Sequence, residues 1–233
     1  MQWHAEWLAS IGTQHRDLWR AVEAQHRVAT MRLADSLDEQ HLLEQLLEDS
    51  KPTLPVEAEG APYLLSTPFR YVSQWSSRFR RPGEGGAWYG ADEPETVAAE
   101  IAHWRWKFFM DSEGLKDTQL VVELTFFQAH FCGLELDLTE PPWNAHRANW
   151  RDPENYAHCH ALATHARSLI PPTGAIRYES ARREYGACQV VFDVQTLSMP
   201  NACLQQTWVC KTTAERVLIS RDDTVLQFDM PEA

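Results

Sequence analysis

The chain has 233 residues, a length that suits one domain or one domain with an extension. Its 33 Asp and Glu outnumber 21 Lys and Arg, for a net charge of -12. That balance argues against nucleic acid as a direct ligand, which needs a basic footprint to neutralise phosphates, and against an anionic membrane surface.

Residues 1–50 carry Leu18, Val22, Gln25, Val28 and Ala29, then Leu33, Leu37, Leu42, Leu43, Leu46 and Leu47, at spacings that predict helices. Asp35 or Ser36 is a candidate cap for the second, with Glu39 near the capping-box position, and Lys51-Pro-Thr-Leu-Pro55 stops it. A helical extension over 1–55 and a main domain over 56–233 follow. The start lacks the basic and apolar parts of a signal peptide, and no apolar run reaches the roughly 18–20 residues that span a bilayer.

Residues 61–90 reverse the charge: Arg70, Arg78, Arg80 and Arg81 face only Glu84. The same stretch is rich in turn residues (Pro82-Gly-Glu-Gly-Gly86) and aromatics, among them Tyr63, Tyr71, Trp75, Trp88 and Tyr89. Residues 93–110 form the clearest helix, with Asp92 as N-cap and Val97, Ala98, Ile101, Ala102, Arg105 and Phe108 at the 3.6 period; Glu100 lies off the Ala98/Ile101/Phe108 line, in a row with Trp104. Leu120–Phe126 and Cys188–Val194 are predicted strands by β-branched content, and Asn155–Ile170 a helix. Leu204–Lys211, Val217–Ser220 and Thr224–Phe228 suggest a terminal meander. An α+β domain results.

Chemistry concentrates on Arg78, Tyr89 and Glu100. Guanidinium forks suit the paired oxygens of phosphate or pyrophosphate, a tyrosine face stacks on a flat ring, and a fixed carboxylate stabilises a developing cation. His158, His160 and His165 lack a zinc motif and read as ordinary helix residues. Cys132, Cys159, Cys188, Cys203 and Cys210 are odd in number and form no CxxC pair, so buried, inert thiols in a reducing cytoplasm are expected.

Three blocks then carry a resemblance. They are Leu64-Leu-Ser-Thr-Pro-Phe-Arg-Tyr71 with Ser77-Arg-Phe79, Trp88-Tyr-Gly-Ala91 through Ala98-Ala-Glu100, and Ile176-Arg-Tyr-Glu-Ser-Ala-Arg182 leading into Val190-Val-Phe-Asp193. In order and spacing the chain resembles the RES-domain family, toxin components of bacterial toxin–antitoxin modules named for Arg, Glu and Ser positions. The resemblance implies a mixed-sheet fold like that of ADP-ribosyltransferase toxins. It implies an enzyme that consumes NAD at the nicotinamide–ribose bond, as a glycohydrolase or a phosphorylase, with no metal. Transfer of ADP-ribose to a protein, or a catalytically silent binding role, are the alternatives. It places the family's Arg on Arg70, its Tyr on Tyr89, its Glu on Glu100 and its Ser on Ser180. Arg70, Arg78, Tyr71, Tyr89 and Ser180 would contact NAD, with Ser180 binding substrate rather than attacking it. Where many members have Gly-Asn before the late strand, this chain reads Gly186-Ala-Cys-Gln189. The implied partner is a cognate helix-turn-helix antitoxin; a homodimer through the N-terminal helices is a further expectation.

Overall fold

The structure is a computed structural model that describes residues 3–24, 30, 33–200 and 204–231. A short 3-10 helix, Ala5–Ser10, leads into strand β1, Gly12–Glu23. This corrects the helical expectation for that stretch; Gln25, Val28 and Ala29 lie outside the described residues. The strand wins because both of its faces are covered. Leu18 packs with Leu65, Phe69 and Trp88 on one side, while its neighbour Trp19 packs with Phe79, Val97 and Ala98 on the other. Successive side chains of a strand point to opposite faces, so both are buried at once.

Helix α1, Leu37–Asp49, is capped as its sequence predicts: Ser36 accepts from the Glu39 N–H at 3.2 Å, and the Glu39 carboxylate accepts from the Asp35 N–H at 2.8 Å. Its Leu37, Leu42, Leu46 and Leu47 are exposed. Helix α2, Tyr63–Arg70, opens the basic stretch ahead of the turn-rich Pro82–Gly86, driven by burial of Leu65 and Phe69. The loop after it closes tightly on it. A β-carbon on Gly86 would lie 2.0 Å from the Pro68 carbonyl oxygen, so only glycine fits there.

Strand β2, Trp88–Ala91, runs into helix α3, Pro94–Asp111. Its N-cap position is Glu93 rather than Asp92, with Pro94 opening the first turn; Asp92 instead holds Arg177 through two bonds of 2.6 Å. Ala98, Ala102 and Phe109 form the buried stripe of α3. The expected inward Phe108 is 61% exposed, one step off that stripe.

Strand β3, Leu120–Asp137, is the spine of the sheet. It pairs antiparallel with β1 over twelve residues, from Gly12↔Glu135 to Glu23↔Leu124. Helices α4 (Arg147–Arg151) and α5 (Ala157–Ser168) follow, then strands β4 (Ala175–Glu179), β5 (Ala187–Val191) and β6 (Leu197–Ser198). The predicted meander is present as β7 (Gln205–Thr212), β8 (Arg216–Arg221) and β9 (Thr224–Asp229).

The sheet runs β1-β2-β5-β4-β3-β7-β8-β9, with β6 against β3. Because β1 also pairs with β3, the five strands β1, β2, β5, β4 and β3 form a closed circuit of pairings; the β3–β4 contact is parallel. The protein is thus a mixed α and β molecule on one large mixed sheet. One buried cluster lies on the α3 side and another on the α2 side. Cys159, Cys188 and Cys210 are buried free thiols as expected, but Cys132 is exposed; Cys203 lies outside the described residues. Among the described residues no helix is long and apolar enough to cross a membrane.

Candidate active site

Helix α3 turns a second face to an open cleft of about 640 Å³. Val97, Glu100, Ile101, Trp104, Arg105 and Phe108 line it, a set spaced at helical intervals. The opposite walls come from β1 (Arg20, Ala21, Glu23), β2 (Tyr89, Gly90, Ala91), the loop at Ser77 and Arg78, and Tyr156, Tyr178, Arg182 and Cys188.

Glu100 sits where these elements converge, and its carboxylate is held from behind. Ser180, which follows β4, is fully buried and its Oγ lies 2.6 Å from Glu100 Oε1. The same oxygen accepts the backbone N–H groups of Arg182 and Arg183 at 3.0 and 3.1 Å. Those donors occupy the hydroxyl's lone pairs, so its single proton points at Glu100. Ser180 therefore reaches Glu100 rather than the open cleft. Cys188 flanks the carboxylate at 3.9 Å, and burial with Glu100 nearby raises its thiol well above the ordinary value.

Tyr89 joins β2 to the preceding loop. Its hydroxyl lies 2.9 Å from Ser77 Oγ and accepts the Phe79 N–H at 3.3 Å; burial pushes the phenol up from its ordinary value. Arg78 is 8% exposed. Its Nη1 donates to the carbonyls of Trp150 and Asp152 at 2.7 and 2.8 Å, and its guanidinium lies 4.9 Å from the centre of the Tyr156 ring. His160 lies 2.8 Å from the Ser77 carbonyl and so ties α5 to this loop.

Charge in the cleft is poorly compensated. Arg105 is paired with Glu23 at 2.7 Å. Arg20 instead donates to the Tyr89 carbonyl at 2.7 Å, and burial brings its guanidinium down to about 10. Arg182 contacts a histidine ring. Among the described residues neither Arg20, Arg78, Arg182 nor Glu100 makes an ion pair. Three guanidiniums on neutral acceptors, beside aromatic faces and one unpaired carboxylate, suit an anionic ligand with a flat ring.

The structure brings Tyr89, Arg78, Glu100 and Ser180 together, but the fully buried Ser180 supports Glu100 and does not face a ligand as expected, and Arg70 and Tyr71 stand outside. Arg70 does not line the cleft. Its Nη1 is paired with Glu48 of α1 at 2.7 Å and its Nε donates to the Pro52 carbonyl, so its fork is spent on the packing of α1. Tyr71 follows it and is also absent from the cleft wall. Sequence reasoning did not assign Arg20, Tyr156 or Arg182; Arg182 had a signal two residues after Ser180 in the third block, and Arg20 lies in Trp19-Arg-Ala-Val-Glu-Ala-Gln-His26, into which the family resemblance also reaches.

A family model described as the RES domain matches residues 54–212, more than half of the chain. The chain belongs to the RES-domain family. The RES match begins after β1, so Arg20, Ala21 and Glu23 line the cleft from outside the matched stretch. Among solved structures, the M. tuberculosis MbcT–MbcA toxin–antitoxin complex is similar at a TM-score of 0.49 and 13% identity, over 90% of this chain and 91% of that one. No curated protein matches the chain.

Proposed function

We propose that this RES-domain protein consumes NAD by cleaving the nicotinamide–ribose bond, as the toxin of a toxin–antitoxin pair. The observation that supports this best is the Glu100 carboxylate, unpaired in the cleft and held at 2.6 Å by the buried Ser180. Nicotinamide leaves NAD as a neutral ring, so positive charge builds on the ribose carbon and ring oxygen in an oxocarbenium-like transition state. A carboxylate fixed before the reaction stabilises that charge by about 3–4 kcal/mol, because it does not reorganise as the charge appears. Arg20, Arg78 and Arg182 supply positive charge for the pyrophosphate. The faces of Tyr156 and Trp104 offer stacking surface for a ring. A cognate antitoxin is the proposed partner, with the exposed Trp104 and Phe108 at the cleft as apolar surface for it to cover.

The test is free nicotinamide released from NAD by purified protein, with and without phosphate, and the mass of the other product. ADP-ribose identifies water as acceptor, and its phosphorylated form identifies phosphate. Glu100→Gln keeps the bond from Ser180 and removes the charge, so release falls about a hundredfold or more while the fold persists. No nicotinamide under either condition refutes the proposal, and an unchanged rate in the Gln variant removes Glu100 from the chemistry.

A further inference from the structure

The segment leaving β4 is tied to α3 at three points: Ser180 to Glu100, Arg182 to His103, and Arg183 to Glu93 and Thr96. The middle tie differs in kind. Arg182 lines the cleft, yet its Nη2 lies 2.9 Å from a ring nitrogen, His103 Nε2. A guanidinium only donates, so His103 must present a lone pair at Nε2 and carry its proton on Nδ1. Its surroundings favour that neutral form: burial, with Arg182, Lys107 and Arg78 nearby, brings the ring down to about 4. A neutral acceptor fixes the direction of a guanidinium without cancelling its charge. A carboxylate in this position would cancel it, and a lysine would repel it.

The rest of the Arg182 fork is uncommitted. Among the described residues its Nε is buried without a partner, and its only side-chain hydrogen bond is the one to His103. Its Nη1 is therefore open. The other cleft arginines are more constrained. Arg105 is neutralised by Glu23, Arg78 is nearly buried on two carbonyls, and Arg20 holds the Tyr89 carbonyl with its guanidinium 5.5 Å from the Trp88 ring centre.

We infer that His103 is a positioning residue: it accepts from Nη2 of Arg182 and so aims that charged guanidinium at a phosphate-type oxyanion of the ligand. The inference rests on the cleft taking a ligand with pyrophosphate, but its test does not need turnover. The full chain is titrated calorimetrically with inorganic pyrophosphate, comparing wild type with His103→Leu, His103→Gln, Arg182→Ala and the double variant H103L/R182A. H103L and R182A each weaken binding about tenfold, the loss of one charge-assisted bond. The glutamine, whose amide oxygen accepts in the same place, recovers most of the loss. H103L has no further effect once Arg182 is gone, because it acts only through that side chain. In nicotinamide release, H103L raises KM more than it lowers kcat. If the leucine variant does not fold, H103N, whose shorter amide cannot reach Arg182, takes its place. Wild-type affinity in H103L, or an equal loss with and without Arg182, overturns the inference. Nicotinamide release by a wild type that does not bind pyrophosphate also overturns it and leaves the NAD reading standing. Pyrophosphate binding that depends on both residues, without nicotinamide release, keeps the inference and removes the NAD reading.

Discussion

Ser180→Ala is the substitution whose effect can be worked most directly from the structure. The hydroxyl makes one bond to the Glu100 carboxylate at 2.6 Å and accepts two backbone N–H groups, in a site with no exposure. A hydrogen bond to a charged group contributes about 1.5–3 kcal/mol, and each donor stranded by the change costs about 1 kcal/mol more. The total of about 3.5–5 kcal/mol corresponds to a fall in Tm on the order of 10 °C for a chain of this size. Glu100 loses its rear support at the same time, and displacement of a reacting group by about 1 Å costs on the order of a hundredfold in rate. Thermal melts and nicotinamide release are measured together, with E100Q as the control that keeps the Ser180 bond. The double variant S180A/E100Q shows less than the sum of the two rate effects, because serine acts through the carboxylate. A Ser180→Ala protein with wild-type Tm and wild-type release refutes the claim that this bond holds the site in place.

Three further outcomes are expected. Tyr89→Phe removes the hydroxyl that joins Ser77 and the Phe79 N–H, so stability falls by about 1 kcal/mol and KM for NAD rises; a melt and a substrate titration check both. Gly86→Ala drives a β-carbon to 2.0 Å from the Pro68 carbonyl, a backbone atom that cannot swing aside, and lowers stability by about 3 kcal/mol or more, read by urea unfolding. His103, held near 4 by burial and by Arg182, Lys107 and Arg78, binds its proton more weakly in the folded chain than in the unfolded one at about 6.5. Its contribution is therefore present above pH 6.5 and is lost as pH falls toward 4. The stability difference between wild type and H103L narrows across that window, and a difference independent of pH contradicts the assignment.

Several elements were legible because a local pattern and the tertiary demand agree. Helix α3 follows its period from Val97 to Ala102, and β3, β5 and the meander follow their β-branched content. Strand β1 was not legible for a specific reason: Leu18 and Val22 are four residues apart, which satisfies a helical face and an alternating strand face equally. What decides the matter is pairing with β3, which no local spacing reveals. Phe108 and Phe109 show the same limit on a smaller scale, since adjacent aromatics share the stripe in sequence and only packing selects one. At the site, Arg78, Tyr89 and Glu100 were singled out by residue chemistry and Ser180 through the family blocks, and the structure brings the four together. Arg70 was misplaced because its counter-charge, Glu48, stands 22 residues before it. The orientation of Arg182 depends on His103, 79 residues away. The cysteine expectation failed at Cys132 because hydrophobic composition alone does not tell which strand face stays open.

The closing of the strand circuit also orders events in time. Arg16 in β1 and its partner Glu135 in β3 are 119 residues apart, and Arg20 on the same strand forms part of the cleft wall. During synthesis β1 leaves the ribosome long before its partner strand exists, and non-local pairing of this kind is slow to form. Until β3 is complete, the chain has no cleft wall on that side and Glu100 has no enclosed site to act in. β4, with Ser180 behind it, is made later still. The cleft therefore assembles only once the chain from β1 through β4, with Ser180 behind it, is available to fold.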